Sequence, residues 1–166
     1  MSRLAFHTFG VLQEPIESPI TQAYYELGAE IFDTAAGTDG FVAGLSPFSD
    51  PVPSVFDPAR HVVAISTLTV WRDLESVFAF SYRGAHVAAF RRRGEWFVER
   101  GWSSYVAWWV EDGDVPSAEE AIERFEYLHA NGPTPYAFTF KRPFDAAGMP
   151  TMVDRTRVAA KQQTAT

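Results

Sequence analysis

The chain has 166 residues, a formal net charge of −7 at pH 7 and no cysteine. Its length and its 46% hydrophobic content predict one globular domain with a packed core, which excludes a disordered chain. The acidic balance disfavours nucleic acid as a partner, because phosphate binding needs clustered Lys and Arg side chains. The lack of cysteine excludes disulfides, thiolate metal sites and cysteine nucleophiles.

Hydropathy indicates where the protein is located, and aromatic content indicates what kind of core or pocket it has. No apolar run is long enough for a signal peptide or a membrane span, so we expect a cytoplasmic protein without membrane insertion. The 14 Phe, 5 Trp and 6 Tyr residues are typical of either a heavily packed β-rich core or a pocket for a large apolar ligand. Composition alone leaves both open.

The first half of the chain predicts strands, one helix and a long loop. Alternation near the N-terminus places His7 and Phe9 on the same strand face. Ser18 and Pro19 are typical of an N-cap and the first helical residue. The predicted elements are a strand over 3–12, a helix over 19–34, a Gly- and Pro-rich loop over 36–58 with at most a short strand at 41–45, and a strand over 61–71.

The second half predicts three helical pieces and two strands. Trp71, Phe78 and Tyr82 repeat at helical spacing. Trp108 and Trp109 are neighbours in a strand, so their side chains point to opposite faces. The predicted elements are a helix over 71–85 that Gly84 perturbs, a second helical piece over 85–97, a strand over 104–110, a helix from the capping box Ser117–Glu120 to Asn131–Gly132, and an edge strand over 137–141.

The order of these elements predicts an α+β, ferredoxin-like fold, in which helices pack on one face of an antiparallel sheet. We expect this domain over residues 1–144, followed by a polar, mobile tail over residues 145–166. A sheet of this kind leaves its other face uncovered. We therefore expect a homodimer in which a second copy covers that face.

Seven stretches of the chain carry a family resemblance that extends over residues 3–144. They are LTVWRDLE (68–75), FAFSYRGAH (78–86), RRRGEWF (91–97), AWWV (107–110), ANGPTP (130–135), FTF (138–140) and PF (143–144). On these stretches the chain resembles the DUF3291 family, whose function is unassigned. That family is similar to the dimeric α/β-barrel superfamily, which includes the antibiotic-biosynthesis monooxygenases. The central run also looks like spheroidene monooxygenase, a haem protein.

The resemblance implies a dimeric α/β barrel but leaves several functions open. The superfamily hosts haem oxygenases, cofactor-free oxygenases, cyclases and isomerases on one scaffold. Its haem-binding members place an axial histidine on a helix comparable to the one that carries His86. The resemblance therefore allows both a haem-binding protein and a protein without a cofactor. Because the sequence has no CxxCH motif, any haem would be bound non-covalently.

Three neighbouring residues are the candidate catalytic groups. His86 could ligate haem iron or act as an acid or base, or else hydrogen-bond Tyr82 or a backbone carbonyl. A buried Tyr82 phenol could donate to a carbonyl or an oxygen intermediate. Arg83 could bind a carboxylate, such as a haem propionate or an acidic substrate, and the alternative for it and for Arg91–Arg93 is ion pairing at the surface.

Aromatic residues and one histidine supply a candidate substrate pocket. His7 could be a second acid or base, and its alternative is a satisfied core or interface histidine. No His-x-x-x-His pair or neighbouring carboxylate supports a zinc or non-haem iron site. Motifs of hydrolases and nucleotide-binding proteins are absent as well. The candidate pocket consists of His7, Phe9, Trp71, Phe78, Trp96 and Trp108.

These features predict a tailoring enzyme whose partner is a hydrophobic small molecule, such as a polyketide or terpenoid. The predicted reaction is a monooxygenase-like oxidation, with or without haem. A cofactor-free version needs only to hold an electron-rich substrate and stabilise its anion while oxygen reacts. Two alternatives stay open. One is a cofactor-free cyclase or isomerase, which an apolar pocket serves by orienting the chain, and the other is a non-catalytic protein that binds a small ligand.

Overall fold

The computed structural model describes residues 1–45, 52–61 and 63–164, which fold into four strands and five helices. None of the described helices combines the length and the apolar character needed to cross a membrane. The strands are β1 (Ser2–Val11), β2 (Phe41–Leu45), β3 (Ala64–Trp71) and β4 (Tyr105–Glu111). The helices are α1 (Pro19–Ala36), α2 (Leu74–Ser81), α3 (Gly84–Trp96), α4 (Ala118–Asn131) and α5 (Arg155–Thr164).

The four strands form one antiparallel sheet in the order β2-β3-β1-β4. Strand β1 is central, with β3 on one side and β4 on the other. The apolar residues of β1 are buried on both faces of the sheet, because other side chains pack against each face. The sheet and its helices confirm the predicted α+β, ferredoxin-like class.

Side-chain caps set the starts of two helices. Ser18 Oγ accepts a hydrogen bond from the Thr21 N–H at the start of α1, and Ser117 Oγ accepts one from the Glu120 N–H at the start of α4. After α4, Gly132 has a φ of 75°, which favours glycine. Both predicted N-caps and the predicted end of α4 are confirmed.

The two faces of the sheet follow from its register, because residues paired across an antiparallel ladder point the same way. Leu4 pairs with Trp71 and Trp109, and these side chains face α1 and α2. The next residue, Ala5, pairs with Trp108 and faces α4. We call these the α2 face and the α4 face.

Helix α4 departs from the expectation that all helices lie on one face. Its Ala121, Phe125 and Leu128 are buried against the α4 face, because its amphipathic pattern aligns them along one side. Helices therefore cover both faces of the sheet. The bare face on which the expected homodimer rested is covered by this chain's own helix, and the homodimer itself stays a prediction.

The predicted edge strand over 137–141 does not form, and this prediction is wrong. Phe138 makes a single bridge to Ala107 of β4, in which two N–H groups each lie 2.9 Å from a carbonyl oxygen. Tight turns on both sides, bridged at Thr134–Ala137 and at Thr139–Arg142, bend the backbone away from the sheet.

The C-terminal segment contains a helix that the sequence did not predict. Val158 of α5 is buried against Phe78 of α2. Lys161 lies 2.9 Å from the Asp39 carboxylate and 3.4 Å from that of Asp73. A single apolar residue produces no helical periodicity, which is why the sequence indicated only a polar tail. The mobility of this segment and the boundary at residue 144 stay predictions.

Candidate functional site

His86 lies in the first turn of α3, and its ring meets Phe80 edge-on at a centroid distance of 5.1 Å. Its Nδ1 is buried and has no partner in hydrogen-bond geometry. Burial lowers the pKa of His86 below its usual value, and the backbone at Ser81 and at His86 itself opposes that shift. The imidazole is therefore neutral at pH 7.

The structure does not bring His86 and Tyr82 together. Tyr82 is 48% exposed at the end of α2, where its ring stacks on Phe78 at 4.4 Å. Residues two apart in a helix point in different directions, so Phe78 and Phe80 hold Tyr82 and His86 on different sides of α2. Arg83 is the N-cap residue of α3, and its side chain makes no capping hydrogen bond.

Five aromatic side chains meet on the α2 face, and we call them the Phe140 cluster. The Phe140 ring stacks on Phe6 at 5.5 Å and lies 5.0 Å from Tyr105 and 5.2 Å from Phe78. Tyr82 closes the outer side at 6.3 Å from Phe140. Phe6 and Phe78 are buried, whereas the other three rings are partly exposed, so the cluster is open to solvent on one side.

Hydroxyl groups border this cluster. Burial raises the pKa of Tyr105 to about 12, and its phenol oxygen accepts a hydrogen bond from the Phe140 N–H at 3.1 Å. Thr8 is the cross-strand partner of Tyr105, and its hydroxyl lies 2.7 Å from that of Thr67. At neutral pH Tyr105 is protonated and can donate. No carboxylate or imidazole side chain is a member of the cluster.

The six predicted pocket residues are divided between the two faces of the sheet. The sheet separates the two sets, so one pocket lined by all six does not form, and only Phe78 belongs to the Phe140 cluster. On the α2 side lie Trp71, Phe78 and Trp96, and on the α4 face lie His7, Phe9 and Trp108.

His7 is 3% exposed beneath α4, where its ring meets Phe125 edge-on at 6.0 Å. Its Nδ1 lies 3.1 Å from the Thr67 carbonyl oxygen, so Nδ1 carries the proton and donates. Nε2 is buried without a partner. Burial lowers the pKa of His7 to about 4, against the opposing effect of the Thr67 carbonyl. The predicted second acid or base is thus a neutral imidazole shut in the core, away from the Phe140 cluster.

One nitrogen of His86 is closed to a haem iron. An axial ligand needs space for the porphyrin in front of its nitrogen, and packing closes off Nδ1 while Phe80 contacts the ring. Among the arginines of α3, Arg92 already pairs with Glu95 at 3.0 Å. We assign no haem chemistry here, and a Soret band that forms with hemin and is lost in His86→Ala would contradict this. The described residues contain no group of three or more potential metal-ligating side chains.

Sequence reasoning missed Phe6, Tyr105 and Phe140. Strand parity could have found the first two, because Phe6 and Tyr105 each alternate with residues that face α4. Phe140 belongs to the FTF stretch of the family resemblance, which carries no signal for the face of the sheet that its ring joins. Its position depends on the backbone that folds back over β4 at Phe138, and apolar spacing does not encode that return.

A model of the DUF3291 family, described as a domain of unknown function, matches residues 3–154. The match spans most of the chain, so this protein belongs to the DUF3291 family, and that part of the resemblance is confirmed. No curated protein was found to match the chain. The similarity to spheroidene monooxygenase stays a prediction.

Solved structures with a similar fold were also found. The NE2512 protein of unknown function from Nitrosomonas europaea is 13% identical, with a TM-score of 0.44 over 71% of this chain and 98% of its own. SnoaB, a cofactor-independent oxygenase from Streptomyces nogalater, is 8% identical, with a TM-score of 0.45 over 69% and 97%. A dabb family protein with a ferredoxin-like fold from Mesorhizobium loti is 11% identical, with a TM-score of 0.41 over 71% and 100%. No functional conclusion follows from these three likenesses.

Proposed function

We propose that this protein binds an apolar, electron-rich small molecule at the Phe140 cluster and oxidises it as a monooxygenase-like tailoring enzyme without a cofactor. The half-open cluster is the observation that carries the proposal. Buried Phe6 and Phe78 form its floor, and Tyr82 forms an exposed wall. Rings arranged in this way can stack against a planar ligand while one side stays open for entry.

The hydroxyl groups beside the cluster suit a ligand with a phenol or carbonyl oxygen. Tyr105 stays protonated at neutral pH because its pKa is raised to about 12, so it can donate to an oxyanion. In the proposed reaction the substrate loses a proton and its anion reduces O2. A CH2 group between two rings becomes a carbonyl, and the second oxygen atom leaves as water. A donor that faces the oxyanion stabilises the charge that develops.

A non-catalytic ligand-binding protein is the second candidate. The observation that favours it is that both histidines considered as an acid or base lie away from the cluster. His7 lies on the other face of the sheet, and His86 lies on another side of α2. Without a base, a bound phenol loses its proton only to solvent on the open side of the cluster.

Oxygen uptake with dithranol, a tricyclic phenol, tests the proposal. We expect the wild-type protein to consume O2 and to form the carbonyl product. Tyr105→Phe removes the donor while it keeps the ring, so it should lower kcat by about tenfold to a hundredfold with little change in KM. Absorbance of the product and an oxygen electrode measure both constants.

Tyr127→Phe is the matched control, because Tyr127 lies on α4 and meets the Tyr136 ring edge-on, outside the cluster. Its kcat should equal that of the wild type. Dithranol that binds to the wild type without O2 uptake would overturn the oxygenase and leave the binding protein. A folded protein that neither binds nor oxidises dithranol would count against a cluster that takes planar phenols.

A further inference from the structure

A groove of 540 Å³ lies next to the Phe140 cluster, between the stretches 140–144 and 150–155. Small-molecule sites commonly have volumes of about 300–1,000 Å³. Phe140 lines the groove and is also the central ring of the cluster. A ligand held by the cluster can therefore extend into the groove.

The groove is lined by cations. Lys141, Arg142 and Arg155 belong to its lining, which contains no carboxylate. Lys141 and Arg142 form no ion pair with any carboxylate in the described part of the chain. The Arg155 guanidinium lies 4.3 Å from the centre of the Phe78 ring, which is itself a member of the cluster. This positive site stands out on a chain with a net charge of −7.

Two carboxylates in the same stretches are engaged elsewhere. Asp145 Oδ1 accepts hydrogen bonds from the N–H groups of Ala147 and Met149, where it closes a turn. Asp154 Oδ1 accepts from backbone N–H groups at the start of α5. Neither side chain lines the groove, so neither occupies the place of an anion there.

Apart from Thr151, the remaining residues that line the groove are apolar. Phe144 lines it, and Met152, which is 85% exposed, stands at its rim. An unbranched methionine adapts to ligands of irregular shape. An apolar wall with free cations fits a molecule that carries both an apolar body and an acid group.

We infer that this groove binds the acid group of the ligand, so that the molecule taken up at the Phe140 cluster is an aromatic or apolar carboxylate. The inference rests on the proposed function of the cluster and adds the class of substrate. Charge-assisted hydrogen bonds from Lys and Arg to a carboxylate are stronger than neutral ones. Lys141 and Arg142 therefore give the site a preference for acids over neutral molecules of the same shape.

Fluorescence titration with anthracene carboxylic acid and with its carboxamide tests the inference on the full-length protein. The two probes share one ring system and differ in charge. We expect the acid to bind about tenfold tighter or more, because each hydrogen bond to a charged group is worth about one power of ten in affinity. The double variant Lys141→Gln, Arg142→Gln should lose most of this preference, with Arg155 as the remaining cation of the groove, and higher salt should weaken only the binding of the acid.

Arg60→Gln is the matched control, because Arg60 is an exposed cation outside the groove. It should keep the preference for the acid. Equal loss of that preference in Arg60→Gln and in the groove variant would overturn the site, because the preference would then come from net charge alone.

The remaining outcomes separate the two proposals. Equal binding of acid and amide by the wild type would overturn the groove inference and leave the cluster as a ligand site. Failure of both probes to bind a protein with an unchanged melting temperature would overturn both. Binding of phosphatidylglycerol vesicles without binding of the free acid would replace the small molecule with a lipid surface.

Discussion

Both faces of the sheet carry aromatic side chains, and these side chains differ in how far the helices cover them. On the α4 face, Phe9, Trp108 and Phe125 are buried in one core under a helix. On the α2 face, the Phe140 cluster has a buried floor and an exposed side. Aromatic content therefore does not identify a binding site by itself, and the proposed site lies where helices leave the rings uncovered.

The polar groups of the strands differ between the two faces, although His86 and Trp96 on the α2 side also hold buried nitrogens without partners. Under α4, His7 Nε2 and Trp108 Nε1 are buried without partners, which costs stability and gives neither atom access to a ligand. On the α2 face, Trp71 Nε1 donates to Thr69 Oγ1 at 2.8 Å, and the Tyr105 oxygen accepts from a backbone N–H. The α4 face therefore contributes to stability, and the α2 face keeps the Tyr105 hydroxyl near solvent.

Truncation of one ring on each face should give the largest contrast. Phe125→Ala leaves a cavity in the closed core and should lower the free energy of unfolding by about 3–5 kcal/mol. Phe140→Ala should cost less, because that ring is partly exposed, and it should abolish ligand binding. Urea unfolding measures both, and equal costs would contradict the distinction between the faces.

Acid should destabilise the closed face through His7. Its pKa is about 4 in the folded protein and 6.5 when exposed, so the unfolded chain binds the proton more tightly. Stability is complete above pH 6.5 and falls as the pH drops towards 4, by about 3 kcal/mol at 1.4 kcal/mol per pH unit. His7→Leu should remove most of this dependence of stability on pH. Some of it should remain, because burial lowers the pKa of His86 as well.

Unfolding curves at several pH values give this dependence. His129→Gln is the control, since His129 is exposed on α4 and should leave the slope as it is. A wild-type protein equally stable at pH 6.5 and pH 4.5 would show that His7 is not held neutral by burial.

Loss of the α5 contact should have an intermediate effect. Val158→Ala removes two methyl groups from the contact with Phe78, which should lower the free energy of unfolding by about 1.5 kcal/mol. Limited proteolysis should then cut first near α5. Val115→Ala is the control, because Val115 is largely exposed and should tolerate the change. Equal protease resistance of both variants would mean that α5 is not docked through Val158.

The smallest change in stability is expected for the exposed wall of the cluster. Tyr82→Ala removes a stacked, half-exposed ring and should cost at most about 1 kcal/mol, while ligand affinity falls about three- to tenfold. Titration with dithranol measures the affinity. Tyr136→Ala, at a partly exposed ring outside the cluster, should leave the affinity unchanged, and an unchanged affinity in Tyr82→Ala would remove Tyr82 from the site.

The strands and the helix caps could be predicted because they depend on local signals. The alternation in β1, the Ser18 cap and the Ser117 cap all describe neighbours in the chain. The side of the sheet that α4 covers was not predictable in this way, because the pattern of Phe125 and its neighbours specifies a buried stripe and no particular face.

The candidate site was predictable only in part. Phe78 and Tyr82 were selected, and both belong to the Phe140 cluster. The sequence analysis placed Tyr82 and His86 one helical turn apart. The chain leaves helical geometry at Tyr82, where ψ is 35°, and this break turns His86 away from Tyr82. The groove cations were missed because Lys141 and Arg142 show no motif until the backbone return at Phe138 places them beside Phe140.

The neighbouring indoles of β4 provide two optical reporters, one for each face. Trp108 faces the α4 core, whereas Trp109 Nε1 donates to the Phe144 carbonyl at 2.8 Å, beside the groove. The emission lost in Trp109→Phe therefore isolates a chromophore that senses the groove, and the emission lost in Trp108→Phe isolates one that senses the core. A ligand that quenches the emission of Trp109 and leaves that of Trp108 unchanged is bound on the groove side of the sheet, and this can be determined without a crystal structure of the complex.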